Sequence, residues 1–87
     1  MKYSIEYDKN FDPKKVAALS HIHQQEIQDV IEKKLGTAPE VFGKPLQHSF
    51  KGSRRLRVGD YRVIFFIKAE RVIIVDIDHR SKIYKTN

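Results

Sequence analysis

Residues 54–78 read RRLRVGDYRVIFFIKAERVIIVDID, and this stretch decides the fold of the chain. Its apolar runs are rich in valine, isoleucine and aromatic residues, which is typical of β-strands. Gly59-Asp60 is a hairpin signal, and Ala69-Glu70 is a second turn between two apolar runs. The stretch therefore predicts three consecutive strands over roughly 53–58, 61–68 and 71–78, which pair as hairpins.

The segments upstream of this stretch predict further short elements. Residues 47–51 form another short strand, separated from the next by a bend at Gly52. Residues 36–45 hold two glycines and two prolines, which favours a loop. Residues 2–7 alternate between apolar and polar side chains, which predicts a half-buried strand at the start of the chain.

Two helices are expected between the first strand and the loop. Asp12-Pro13 is an N-cap followed by proline at the first helical position. Ser20 interrupts this first helix or caps a second one, which ends at Gly36. The apolar positions of the second helix fall on one face: Ile22, Ile27, Val30, Ile31 and Leu35.

The order strand, helix, helix, strands predicts an α+β fold. Two N-terminal helices pack on one face of a small, mostly antiparallel, twisted sheet. The chain has 87 residues, which is the size of a single domain spanning 1–87.

Composition narrows the classes of function. The absence of cysteine excludes a disulfide scaffold, a thiolate zinc site and a cysteine nucleophile. The net charge of +6 indicates an anionic partner, either nucleic acid or an acidic protein. No run approaches the roughly 18 apolar residues of a membrane span, and no signal peptide is evident. We therefore expect a small cytoplasmic protein with no membrane partner.

The positive charge is concentrated in the second half of the chain. Residues 1–43 have a net charge of −1, whereas residues 44–87 have a net charge of +7 and contain all six arginines. Strand alternation predicts these core-facing side chains: Leu56, Val58, Tyr61, Val63, Phe65, Ile67, Ile73, Val75 and Ile77.

The opposite parity predicts a basic face on the sheet. Four arginines then converge on the side away from the helices: Arg55, Arg57, Arg62 and Arg80. The planar donor fork of a guanidinium matches phosphate, so this face is a candidate phosphate-binding surface. The same parity places Val72, Ile74, Asp76 and Asp78 on this face and exposes Ile64 and Phe66 there. Arg54 has the opposite parity and is expected at the sheet edge. The two acids are expected to pair with Arg57, Arg62 or Arg80. A face that is basic and merely solvated is the alternative reading.

One combination of motifs resembles a known family. LRVGDYRVI at 56–64, an apolar strand after it, and HRSKIY at 79–84 resemble the RelE branch of the RelE/ParE toxin superfamily. Lys44-Pro45-Leu46 ahead of Gly52-Ser53-Arg54-Arg55 is also similar to that branch. The resemblance covers essentially the whole chain, and it implies a RelE-like fold.

The resemblance implies the toxin of a toxin–antitoxin pair. Members of this branch are ribosome-dependent endoribonucleases that cut mRNA in the A site. They use no metal and no other cofactor, because the 2′-hydroxyl of the mRNA attacks the adjacent phosphate. The implied partners are a cognate antitoxin, the ribosome with A-site mRNA and, through the antitoxin, operator DNA.

The resemblance also assigns roles to individual residues. Arg62 matches the arginine that stabilises the transition state, and Arg55 and Arg57 match the basic positions of the preceding strand. Arg80 matches a basic residue near the C-terminus, and Tyr84 matches a tyrosine that orients or stacks on the substrate.

The chain departs from the best-described members at the general base. They carry lysines where this chain has Ser53 and Arg55, and arginine is a poor proton acceptor because its pKa exceeds about 12. His79 is the candidate base, since imidazole titrates near neutrality. It reaches the site only if the last strand ends near Asp78; otherwise it is a strand-end histidine that bonds to backbone. The other histidines, His21, His23 and His48, are expected to be structural or exposed.

Two other functions remain open. A ParE-like toxin that inhibits DNA gyrase by binding has the same fold without the basic catalytic set. A catalytically weakened RelE homologue that acts as a binding partner is the other, because the usual lysines are missing.

Overall fold

A computed structural model of the chain describes residues 2–45 and 52–79. The strands are β1 (Ser4–Tyr7), β2 (Lys44–Pro45), β3 (Arg54–Val58), β4 (Tyr61–Lys68) and β5 (Arg71–His79). The helices are α1 (Lys14–Ala17), α2 (His21–Val30) and α3 (Pro39–Phe42), and α2 continues as one π-helical turn over Ile31–Leu35. This architecture confirms the α+β prediction. The strand expected over 47–51 lies outside the described residues.

Among the described residues, the sheet has five strands in the order β1-β5-β4-β3-β2. β1 pairs with β5 in parallel, and all other neighbours are antiparallel. β4 lies at the centre, with a long hairpin partner on each side. β2 pairs only with Arg54 and Arg55. Within the described residues, β3 therefore has an open edge from Leu56 to Val58.

The helices cover one face of the sheet and bury an apolar stripe against it. Ile27, Ile31 and Leu35 are four residues apart, lie on one side of the helix and are at most 4% exposed. Ile22 was expected on the same face, but it is 79% exposed. Five residues separate Ile22 from Ile27, which places it about 140° around the helix from the stripe.

Local capping begins two of the helices. The Asp12 carboxylate accepts a hydrogen bond from the Lys14 amide at 3.0 Å, and Ser20 Oγ accepts one from the His23 amide at 3.3 Å. Both caps agree with the sequence predictions. The loop predicted over 36–45 instead contains α3. Pro39 stands at the start of α3, where its fixed φ favours a helical turn and its missing amide proton costs nothing.

A β-bulge in β5 shifts the predicted core parity. Ile64 is opposite Asp76 but Phe65 is opposite Ile74, so the register skips Val75. As a result, Val72 and Ile74 face the helices before the bulge and Ile77 faces them after it. The prediction that Ile73 and Val75 belong to the core was therefore wrong, as was the placement of Val72 and Ile74 on the arginine face.

Close packing fixes the position at which α3 ends. Gly43 is buried against the ring of Phe65, and a Cβ atom at this position would overlap that ring. Phe65 is itself fully buried under the helices and has no room to move. Arg54 was expected at the sheet edge, but it pairs with Pro45 of β2 on one side and Phe65 of β4 on the other. Its Nη1 donates to the Gly43 carbonyl at 2.8 Å. The glycine therefore couples α3 to the centre of the sheet.

The change Gly43→Ala should destabilise the fold by about 1–3 kcal/mol, because overpacking a filled core forces backbone or side-chain shifts. Thermal unfolding followed by circular dichroism should show a melting temperature lower by several degrees. Gly59→Asn is the control: Gly59 has φ of 60°, which asparagine tolerates, and its added Cβ meets no atom within 4 Å. Equal melting temperatures for Gly43→Ala and the unchanged chain would contradict this packing.

A lysine on α1 binds two carboxylates of β5. Lys15 Nζ lies 2.6 Å from Asp76 Oδ1 and 3.1 Å from Asp78 Oδ2. The ion pairs described for these acids are thus with Lys15, not with the arginines as expected. The hydrogen bond to Asp76 raises the pKa of Lys15, partial burial opposes this shift, and Asp78 adds to it. The contact ties the N-terminal half of the chain to the last strand.

Replacing Lys15 should lower stability near neutral pH but not at high pH. A raised pKa in the folded state stabilises the fold below the unfolded pKa, and this contribution disappears as pH rises through the folded pKa. Lys15→Met should cost up to about 1 kcal/mol in urea unfolding at about pH 7, and the difference should shrink near pH 12. Lys14→Met, on the same helix, is the exposed control. A loss of equal size at both pH values would mean that the ion pair does not contribute.

Candidate functional site

A cleft of about 300 Å³ opens at the free edge of β3. The side chains around it come from the π-helical turn, α3, β2, β3 and β4, and we call this site the basic cleft: Lys34, Phe42, Lys44, Arg55, Leu56, Arg57 and Arg62. Five of these seven residues are cationic, and none of the described residues that line it is acidic. Such a site is suited to an anion.

The β3–β4 hairpin positions the three arginines. Arg57 is directly opposite Arg62, and Arg55 is opposite Ile64. Cross-strand partners share a face, so the arginines lie away from the helices, as the parity predicted. Arg57 Nε donates to the Gly59 carbonyl at 3.2 Å, and Arg62 Nη1 lies 3.4 Å from the Tyr61 carbonyl oxygen. Arg62 is only 4% exposed, so its guanidinium is held within the protein.

Arg62 lies between a like charge on one neighbouring strand and an opposite charge on the other. Like charges directly opposite each other on a sheet repel, as Arg57 and Arg62 do. On the β5 side, Arg62 is opposite Asp78, whose carboxylate binds Lys15 of α1 at 3.1 Å. An anion that enters the basic cleft would relieve the remaining repulsion.

Ile64 lies between charged neighbours on the same face. Its cross-strand partners are Arg55 and Asp76, and it is only 4% exposed. The expectation of an exposed Ile64 was therefore wrong, because the residue lies on the central strand with a charged side chain on each side. Phe66, farther along β4, is partly exposed.

Three residues of the basic cleft were not identified from the sequence. Lys34 comes from the π-helical turn, and its Nζ lies 5.2 Å from the centre of the Phe42 ring. Lys44 is opposite Arg55 in β2. Because a loop was predicted over 36–45, the sequence did not indicate where the Phe42 side chain points. Lys44-Pro45 served only as part of a motif that resembles the RelE branch, and not as part of a site.

The structure does not bring His79 into the basic cleft. β5 extends through His79, which is opposite Tyr61, and the two rings meet edge to face at 5.5 Å. His23 on α2 contacts the same tyrosine at 5.3 Å, so this cluster lies on the helix side of the sheet. The role of His79 as general base stays a prediction. Arg80, Tyr84 and His48 lie outside the described residues.

The described residues offer neither a metal-binding cluster nor a membrane-spanning helix. Within 2–45 and 52–79, no cluster of three or more histidine, aspartate or glutamate side chains is placed to hold a metal ion. No helix in this part of the chain is both long and apolar enough to cross a membrane.

Comparison with known proteins identifies the superfamily. A family model described as the ParE toxin of the type II toxin–antitoxin system parDE matches residues 8–84. The curated Toxin RelE of Mycobacterium tuberculosis is 41% identical over 51 residues, which cover 56% of this chain. The match spans about half of that relative, 53% of its length.

Solved structures show the same fold. The chain superimposes on the toxin–antitoxin complex RelBE2 from Mycobacterium tuberculosis with a TM-score of 0.82 and 23% identity, covering 92% of this chain and 100% of that one. The chromosomal ParDE system of Pseudomonas aeruginosa gives a TM-score of 0.72 at 16% identity, covering 90% and 96%. The family match spans most of the sequence, and both branches of the superfamily share the architecture. The chain therefore belongs to the ParE toxin family of type II toxin–antitoxin systems, within the RelE/ParE superfamily.

Proposed function

We propose that this protein is a ribosome-dependent endoribonuclease that cleaves mRNA in the A site. The observation that carries the proposal is the basic cleft, where Arg55, Arg57 and Arg62 surround a space that suits a phosphate. Five cations gather in this recess, and none of the described residues that line it is acidic, which favours a polyanion such as RNA. The likeness to Toxin RelE supports the same reading.

The proposed cleavage reaction depends mainly on stabilising the negative charge that develops on the phosphate. The 2′-oxygen forms a bond to phosphorus and loses its proton, while the bond from phosphorus to the 5′-oxygen breaks and that oxygen gains a proton. The products are a 2′,3′-cyclic phosphate and a 5′-hydroxyl. Negative charge builds on the phosphate oxygens during transfer, and fixed guanidinium groups stabilise it without reorganisation.

Arg62 is the residue we assign to the transition state. It is buried on the central strand, so its position is set by the sheet and not by a loop. Arg55 and Arg57 approach the phosphate from the neighbouring strand. By the resemblance, Arg80 and Tyr84 also belong to the proposed site; both lie outside the described residues. None of these arginines is a strong base, so His79 remains the proposed proton acceptor and would have to leave Tyr61 to act.

The proposed partners follow from the relatives. RelBE2 of Mycobacterium tuberculosis is a toxin–antitoxin complex, and we propose that a cognate antitoxin binds this chain too. The other proposed partners are the ribosome with A-site mRNA and, through the antitoxin, operator DNA. All of these are cytoplasmic, which is where we place the protein's action.

The similarity to ParDE and the match to the ParE toxin family support a second candidate function. A ParE-like toxin would act by binding DNA gyrase and would cut no RNA. A RelE homologue with weakened catalysis would also cut little RNA, because arginine replaces the usual lysine. The two differ in their target, since only the gyrase inhibitor would induce the response to DNA damage.

Changing Arg62→Ala should reduce mRNA cleavage by about 100- to 1,000-fold, the loss typical of removing one fixed donor to the transition state. Primer extension after induction should show cuts within codons only during translation, and the variant should show almost none. Arg62→Lys retains the charge but not the planar fork, and should recover only part of the activity.

Arg71→Ala is the matched control on the same sheet. Arg71 is exposed, pairs with Glu6 at 3.3 Å and does not line the basic cleft, so its loss should leave cleavage unchanged. Circular dichroism checks that each variant is folded. A DNA-damage response without mRNA cuts would instead establish the gyrase inhibitor, and full cleavage by folded Arg62→Ala would refute the arginine mechanism.

A further inference from the structure

Phe42 is an aromatic side chain exposed at the rim of the basic cleft. It is 41% exposed, although a phenylalanine in a small protein normally lies in the core. Among the described residues that line the basic cleft, it is the one aromatic side chain. An exposed ring beside a cluster of cations is the combination by which proteins bind single-stranded nucleic acid.

The Phe42 ring belongs to α3, whose two ends are both held by packing. Gly43, the next residue, is packed against the ring of Phe65, and Arg54 bonds to the Gly43 carbonyl at 2.8 Å. At the other end of α3, Pro39 is fully buried. Both ends of this single turn are therefore anchored, and Phe42 is presented in a fixed place.

Lys34 links the Phe42 ring to the cations of the basic cleft. Its ammonium lies 5.2 Å from the centre of the Phe42 ring, within the range of a cation–π contact. A ring has two faces, and a cation on one leaves the other for a flat ligand. The same lysine contributes positive charge to the basic cleft, so the ring and the phosphate site are joined through one side chain.

We propose that Phe42 is a stacking platform for a nucleobase of single-stranded RNA whose adjoining phosphate lies among Arg55, Arg57 and Arg62. This rests on the proposed function, since it takes the cleft to be the place where RNA is held. A single strand offers a base beside each phosphate, and that pairing matches an aromatic ring beside cations. An acidic peptide would match the charges but makes no use of the exposed ring.

The test is a fluorescence titration of the full chain with a short single-stranded oligonucleotide of 2′-O-methyl nucleotides. This sugar cannot be cleaved through its 2′-oxygen, and one base is 2-aminopurine, whose emission falls on stacking. The unchanged chain should quench the probe on binding. Phe42→Leu, which keeps the apolar volume, should bind about 5- to 150-fold more weakly and lose the quenching.

Two further variants separate the ring from its surroundings. Phe42→Tyr keeps an aromatic face and should behave like the unchanged chain. Val41→Ala alters the neighbouring side chain, which is 75% exposed and does not line the cleft, and should also bind and quench normally.

Each outcome bears on the proposal separately from the endoribonuclease function. If Phe42→Leu binds and quenches as well as the unchanged chain, stacking on Phe42 is wrong, while mRNA cleavage is unaffected. If the ring-dependent quenching appears but no mRNA is cut, stacking stands and the endoribonuclease proposal fails. If no variant binds the oligonucleotide at low salt but all bind a poly-glutamate peptide, the occupant is acidic protein and the proposal is overturned.

Discussion

The burial of Val63 and Phe65 on the central strand is the constraint on which the rest of the molecule depends. Both residues have no exposed surface, and β4 pairs with β3 on one side and β5 on the other. Because side chains alternate on a strand, fixing these two inward fixes Arg62 outward. A slip of one residue would turn the guanidinium toward the helices and the core side chains away from them, so the same packing that holds the fold together also aims the arginine.

Much of the fold could be predicted from alternation and turn residues. The hairpin at Gly59-Asp60, the three long strands and the caps at Asp12 and Ser20 are local features that short patterns encode. The bulge at Val75 could not be predicted this way. All of residues 72–75 are aliphatic, so the pattern offers no reason to skip one, and only the pairing with β4 reveals which residue is extra.

The candidate site was predictable to the extent that it lies on regular strands. Arg55, Arg57 and Arg62 share a parity, and the structure brings them together. Phe42 and Lys34 come from a short helix and a π-helical turn, whose positions depend on packing distant in sequence. The position of His79 depended on where the last strand ends, which the sequence did not determine. β5 continues through His79, so the strand alternation holds and the imidazole lies beside Tyr61.

The parallel pairing of β1 with β5 has a consequence for how the protein is made. Ser4 to Tyr7 lie beside Arg71 to Ile74, so the first strand of the described chain waits for its partner until nearly all of it has been synthesised. The β3–β4 hairpin can form earlier because its contacts are local. Lys15 is likewise synthesised long before Asp76 and Asp78. The strand that carries Arg62 therefore gains its second neighbour, β5, only after the β3–β4 hairpin has been synthesised.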